Sequence, residues 1–308
     1  MLRFIFKRLL LLIPVLLVVD IITFALVKSA PGGPFSEDRK LPPEIEAEIN
    51  AYYGYDKSLP EQFGMHLKNI ILKGDFGPST KQVGYSVNEI IAESLPISIK
   101  LGVYGLTVAV ILGVPIGLFA ASRKNTFSDY FPMAASMMGI CLPTFVIGPV
   151  LLLVFSIYLG WFNPFGWNTA SDAVLPVLTL GIFYAAYIAR LTRSGTLDVL
   201  NQDFIRTAHA KGLSESMVLR RHALKGSILP VVNFLGPAFA GLLTGSFVVE
   251  SIFYIPGLGQ YFVKAAFNRD YSLVQATVLL YASMLVVLNL VTDVIMAYLN
   301  PRIRLGDQ

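Results

Sequence analysis

Charge is scarce in this sequence. Only 14% of its 308 residues are Asp, Glu, Lys or Arg, against about a quarter in ordinary soluble domains, and the shortage falls in long apolar runs. That pattern excludes a conventional soluble core and points to membrane spans. Cysteine is all but absent. Cys141 is the single one, so no intrachain disulfide can form, and its place in an apolar run marks it as a small buried packing residue. The three histidines, His66, His209 and His222, lack metal-ligand spacing, so no zinc set is available. No lysine follows a glycine, which removes the Gly-Lys-Ser/Thr phosphate loop and ATP hydrolysis by that route. No Gly-x-Ser-x-Gly nucleophile elbow occurs either. The net charge is +4, but the bases are scattered and not interleaved with stacking aromatics, which excludes a nucleic-acid face. The chain is expected to bind no cofactor or metal and to hold no catalytic residues.

What is present is a set of apolar segments long enough to cross a bilayer, a crossing taking about 20 residues. Six qualify: 9–27, 97–121, 131–159, 174–189, 228–252 and 274–299. The third is long and the fourth short, differences that tilt can absorb. Orientation follows from the flanking Lys and Arg. The amino end (Arg3, Lys7, Arg8), the second connection (Arg123, Lys124), the fourth (Arg190, Arg193, Arg206, Lys211, Arg220, Arg221, Lys225) and the tail (Arg302, Arg304) all fall on one side. Both termini are therefore expected in the cytoplasm. The first segment reads as a retained span in preference to a cleaved signal peptide, because its apolar stretch is too long for one and its removal would break the charge pattern.

The expected organisation is thus an all-α integral membrane protein. Residues 1–27 form the amino end and first span, 28–96 an external loop, and 97–308 the remaining five spans, with a basic loop at 190–227. In the external loop, Leu41-Pro-Pro-Glu44 followed by Ile45, Ile49 and Tyr52 predicts a short helix opening after the prolines. Tyr85 to Ser94 predicts an amphipathic helix leading into the second span. At under seventy residues the loop is a cap on the bundle and not an enzyme domain. Gly113-x-x-x-Gly117 and Gly241-x-x-x-Gly245 predict close helix packing, and Pro115 between the first pair is expected to kink the span. Ionisable residues inside spans are Asp20, Lys100, Glu250 and Asp293. Each is expected to be structural, Asp20 paired with a partner on another span, Lys100 snorkelling to the interface. Pro256, Gly257, Leu258 and Gly259 interrupt an apolar run and mark either an outer gate or a glycine-rich turn.

The basic loop carries the sharpest signal. Leu197, Leu200, Phe204 and Ala208 recur at helical spacing, and Gly212 is placed to stop a short helix. Such a helix can lie flat under the bundle and present side chains to a partner; on composition alone it could equally touch anionic lipid. Here Arg206-Thr-Ala-His-Ala-Lys-Gly-Leu213 resembles the coupling-loop motif of permease subunits of bacterial ABC importers. Ala208 and Gly212 match the broad Glu-Ala-Ala-x-x-x-Gly pattern, while Arg206 and Thr207 depart from it in the manner of the peptide/nickel branch. Ala30-Pro-Gly-Gly-Pro-Phe35, Gly74-Asp-Phe-Gly-Pro-Ser79, Tyr85-Ser-Val-Asn88, Ala189-Arg-Leu-Thr-Arg193, Pro256-Gly-Leu-Gly259, Asn268-Arg-Asp-Tyr-Ser272 and Pro301-Arg-Ile-Arg304 resemble further landmarks of that branch. The resemblance implies a type I importer permease of the bacterial inner membrane. It implies a second permease subunit, two ATPase subunits carrying ATP and Mg, a periplasmic peptide-binding protein and an oligopeptide substrate. It also implies that Arg206, Thr207, Ala208, Lys211, Gly212 and Leu213 meet an ATPase. Dipeptides, nickel or another small solute are the alternative cargo. A proton-coupled secondary transporter acting alone is the alternative of another class.

Overall fold

The computed structural model describes residues 2–29, 43–82 and 84–299. The Ala30–Phe35 and Pro301–Arg304 landmarks lie outside them. The described chain is helical apart from turns and one isolated antiparallel bridge, Pro78 to Ser86. In order the helices are α1 (Leu2–Ser29), α2 (Pro43–Tyr53), α3 (Leu59–Lys73), α4 (Val87–Ser122), α5 (Phe127–Cys141), α6 (Thr144–Leu151) and α7 (Ala170–Leu200). There follow α8 (Asp203–Ala210), α9 (Glu215–Met217), α10 (Leu224–Ser227), α11 (Leu229–Ile252), α12 (Leu258–Asn268) and α13 (Tyr271–Leu299). π-helical stretches continue α6 over Leu152–Tyr158 and join α9 to α10 over Val218–Ala223.

Among the described residues four helices are long and apolar enough to cross a membrane, and two bent pairs bring the possible number to six. The expected third span is not one helix. α5 and α6 meet at a bend of 105°, because Pro143 lacks an N–H and biases its predecessor away from the helical region. Leu142 is accordingly extended (φ −85°, ψ 117°), and Pro143 opens α6 as its N-cap. Cys141 sits at this break and is exposed, not buried as its apolar neighbours implied. The expected fourth span is the middle of α7, whose 31 residues run well past it. The second span and the amphipathic stretch before it are one unbroken 36-residue helix through Pro115.

Two compact units divide the chain: Ile99–Ile255 with Val287–Gln308, and Leu2–Ser98 with Pro256–Val286. In the first, α7 is the central element. A Cβ on Gly113 would lie 2.7 Å from the Ala185 carbonyl oxygen, and one on Gly117 would lie 2.4 Å from that of Ala189. The α4 and α7 backbones are thus in direct contact, the packing role that the glycine spacing implied. Gly241 meets a side chain and not a backbone, the Tyr184 hydroxyl lying 2.6 Å from where its Cβ would be.

In the second unit, residues 43–82 of the stretch expected as a cap fold into short helices and turns. Gly74 ends α3 in the left-handed region (φ 61°), and Ser58 with Glu61 makes a capping box at its start. Val87, Ile90, Ala265, Leu273 and Ala276 form a buried cluster in which the start of α4 packs on α12 and α13. The Ser98 hydroxyl accepts the Leu258 N–H at 2.9 Å and so satisfies the first turn of α12.

Candidate functional site

The basic loop folds into a small foot with its own core. α7 ends at Leu200, and only Asn201 and Gln202 separate it from α8. Val199, Ile205, Ala208, Val218 and Ala223 are buried together, flanked by Leu200, Leu213 and Leu219. The return limb is pressed onto α7 at two glycines. A Cβ on Gly195 would come within 2.7 Å of the Ser227 carbonyl oxygen, and one on Gly226 within 2.9 Å of a Val199 methyl. Gly212 closes α8 with φ 79°, a conformation that favours glycine, and nothing lies within 4 Å of where its Cβ would be. The chain reverses there, and the Leu213 N–H returns to the Ala208 carbonyl at 3.3 Å.

The six residues singled out for a partner divide cleanly. Arg206, Thr207, Lys211 and Gly212 are exposed, Leu213 is half-buried and Ala208 is buried. Ala208 therefore shapes the foot and does not offer a surface. The helical stripe read through Leu197, Leu200, Phe204 and Ala208 is also broken. The first two belong to α7, and the inward face of α8 is Ile205 with Ala208. Phe204 is 47% exposed and Met217 40% exposed, apolar side chains standing among Arg206, Lys211 and Arg220. Arg206 lies 3.5 Å from Asp203, with both side chains largely in solvent; such a pair contributes little stability. The foot is a preformed, mostly basic surface with two apolar projections.

Above the foot lies a pair that the sequence did not announce. Asp129, in the first turn of α5, is fully buried, and Arg193 of α7 meets it with both ends of its fork. Nε reaches Oδ1 at 2.5 Å and a terminal nitrogen reaches Oδ2 at 2.7 Å. The same Oδ2 accepts the Asn125 N–H at 3.0 Å. Arg193 was visible as part of a landmark; its partner was one acid in an ordinary helix start.

In the cap, the landmarks Gly74–Ser79, Tyr85–Asn88 and Asn268–Ser272 converge. Asp270, 2% exposed, precedes α13. It accepts hydrogen bonds from the Ser79 hydroxyl, the Thr80 N–H (3.2 Å) and hydroxyl (3.1 Å), the Ser272 hydroxyl (3.0 Å) and the Leu273 N–H (3.4 Å). Tyr53 donates to the carbonyls of Phe76 and Pro78, and burial pushes its phenol above the usual range. Asn88 ties the landmarks further, donating to the Gly74 carbonyl and accepting the Phe76 N–H. Separate motifs in the sequence are one knot in space.

Asp20 and Glu250 have local partners. Asp20 is buried, but it faces His66 of α3, 3.1 Å away, and not another span. It thus fastens α1 to the cap. Ser246 donates to Glu250 at 2.8 Å, both buried within α11. Lys100 is exposed and Asp293 half-buried. The four residues marked as an outer gate or a glycine-rich turn divide between a turn and a helix. Pro256 and Gly257 make the connection, while Leu258 and Gly259 are buried in the first turn of α12. Just before them, Tyr254 holds φ 53°, and its ring packs edge-on against Phe165 at 5.2 Å. The Gly166 N–H donates to the Phe253 carbonyl alongside.

Long apolar helices, some bent, and a basic foot with its own core define a polytopic membrane protein. Residues 113–305 match the family of binding-protein-dependent transport system inner membrane components, and residues 1–101 match that family's amino-terminal model. The chain belongs to this family of ABC transporter permeases. It is 47% identical to the oligopeptide transport system permease protein OppB of Haemophilus influenzae over 306 residues, covering 99% of this chain and 100% of that one. It is 44% identical to OppB of Escherichia coli K12 over the same shares, and 40% identical to the dipeptide transport system permease protein DppB of Bacillus subtilis, covering 99% of each. The fold matches that of a solved inward-facing MetNI methionine ABC transporter, with a TM-score of 0.58 at 17% identity, over 69% of this chain and 97% of that one.

Proposed function

We propose that this chain is one of two permease halves of an importer that carries oligopeptides across the bacterial inner membrane, with ATP and Mg held on two partner ATPases. The foot carries this reading. It is short, held by a private core, covalently close to a spanning helix, and presents Arg206, Thr207, Lys211 and Gly212 to solvent beside Phe204 and Met217. A surface of that kind suits a groove on a soluble motor: apolar anchors for affinity and a basic rim for registry. The charge asymmetry of the loops supports a cytoplasmic foot and cytoplasmic termini, with the loop between the first two spans periplasmic. There a groove of about 460 Å³ lined by residues including Glu48, Asp75, Tyr85 and Glu89 would receive the peptide-binding protein. Moving a pore from 1:99 to 99:1 between two states takes about 5.5 kcal/mol of preference, within reach of ATP binding at two motors. The names of the relatives favour oligopeptides as cargo, and the dipeptide permease among them keeps shorter peptides as the second reading.

The test is Gly212→Val. A β-branched residue at φ 79° is strained by about 1–3 kcal/mol, so the reversal after α8 must change shape while the spans are untouched. Membrane insertion should be normal, and peptide uptake should fall at least tenfold. Uptake at the wild-type rate from equally inserted protein would remove the foot from its assigned role.

A further inference from the structure

We infer that the Asp129–Arg193 pair is a positioning link that makes α5 move with α7 when the foot is displaced, an inference that rests on the motor-driven reading above. Arg193 stands seven residues before the end of α7, roughly 10 Å along the axis at 1.5 Å per residue, and the foot begins two residues after that end. Any push on α8 therefore reaches Arg193 through a short length of rigid helix. Its side chain is 26% exposed, whereas that of the aspartate it grips is fully buried. Two parallel hydrogen bonds fix the angle as well as the distance, which a single lysine contact would not do.

The carboxylate also receives the Asn125 N–H. Asn125 lies in the turn after α4 and holds φ 63°, a conformation asparagine tolerates better than most residues. Asp129 thereby joins the end of α4, the start of α5 and the approach to the foot. Elsewhere between α5 and α7, Gly139 faces Ala186 and Ile182, and the Arg190 guanidinium donates to the Met137 sulfur at 3.4 Å. Apolar packing resists separation but permits sliding. A buried, bidentate ion pair does not slide, because half-broken it leaves a buried charge without its partner. The pair is thus a fixed point between α5 and α7, and the bend of 105° at the far end of α5 would turn with it.

The test uses the whole importer in proteoliposomes, with Asp129→Asn and Arg193→Lys. Both should assemble and hydrolyse ATP within about twofold of the parent, while peptide moved per ATP falls at least tenfold. An unchanged ratio of transport to hydrolysis in either assembled variant overturns the link. Should neither variant assemble, spin labels at the exposed Tyr130 and Ser194 of an otherwise intact chain lacking Cys141 decide the matter. Their separation should be the same in nucleotide-free and ATP-bound complexes, and a change of more than about 5 Å overturns the link. A parent chain that neither binds an ATPase nor transports would sink the motor-driven reading itself, and that outcome is seen before either variant is made.

Discussion

Gly117→Leu should leave little or no monodisperse protein in mild detergent. A Cβ at this position would stand 2.4 Å from the Ala189 carbonyl oxygen, 2.6 Å from the Thr192 Cβ and 3.0 Å from the Arg193 amide nitrogen. Two of those three atoms are backbone, so no rotamer change relieves the clash, and α4 must move off α7. Overpacking of this sort costs about 1–3 kcal/mol when side chains can yield, and more when backbones cannot. Gly117→Ala should lower the melting temperature measurably, and leucine should abolish the folded peak in size-exclusion chromatography. Gly64 of α3 is the control, because nothing lies within 4 Å of its absent Cβ. Gly64→Ala should be neutral or stabilising by up to about 1 kcal/mol through helix propensity. An unshifted melting temperature in Gly117→Leu would contradict the α4–α7 contact.

Asp270→Ala should loosen the cap without disturbing the foot. The carboxylate serves five donors from Ser79, Thr80, Ser272 and Leu273, and alanine leaves them buried and unpaired. Each unsatisfied group costs about 1–3 kcal/mol before water enters to relieve it, so a net loss of about 3–5 kcal/mol is expected. Hydrogen exchange should accelerate in residues 76–90 and in the first turn of α13, and remain unchanged in residues 200–220. Asp270→Asn, which retains one acceptor, should fall between. Equal protection of residues 76–90 in the alanine variant and the parent would show that the knot is held by other contacts, Tyr53 and Asn88 foremost.

The sequence made the membrane class, the six apolar segments and the position of the foot legible, because each is written in composition or in a short local signal. It misled where one tertiary contact overrode a local pattern. Phe204 sits at helical spacing from Leu200, yet it points outward because the chain breaks at Asn201 and Ile205 takes the buried place. Asp20 looked like a group awaiting a partner in another span, and its partner is His66, 46 residues away in the cap. Pro143 did carry a readable break, but the apolar run on either side of it masked the bend. Asp129 was illegible for a plainer reason, and Asp270 showed only as one residue of the Asn268–Ser272 landmark. A single acid at the start of a helix is what any N-terminus shows, and only the fold reveals that these two are buried and gripped from elsewhere in the chain.

A passive half of a motor-driven pore takes its energy from ATP on its partners and not from an ion gradient. The most direct measurement is uptake of a labelled oligopeptide by cells that depend on this chain, with ATP and the proton gradient manipulated separately. Uptake should persist when an ionophore collapses the gradient while ATP is maintained, and should stop when ATP is depleted with the gradient intact. Uptake that follows the gradient and ignores ATP would contradict the account and make a proton-coupled carrier of the chain.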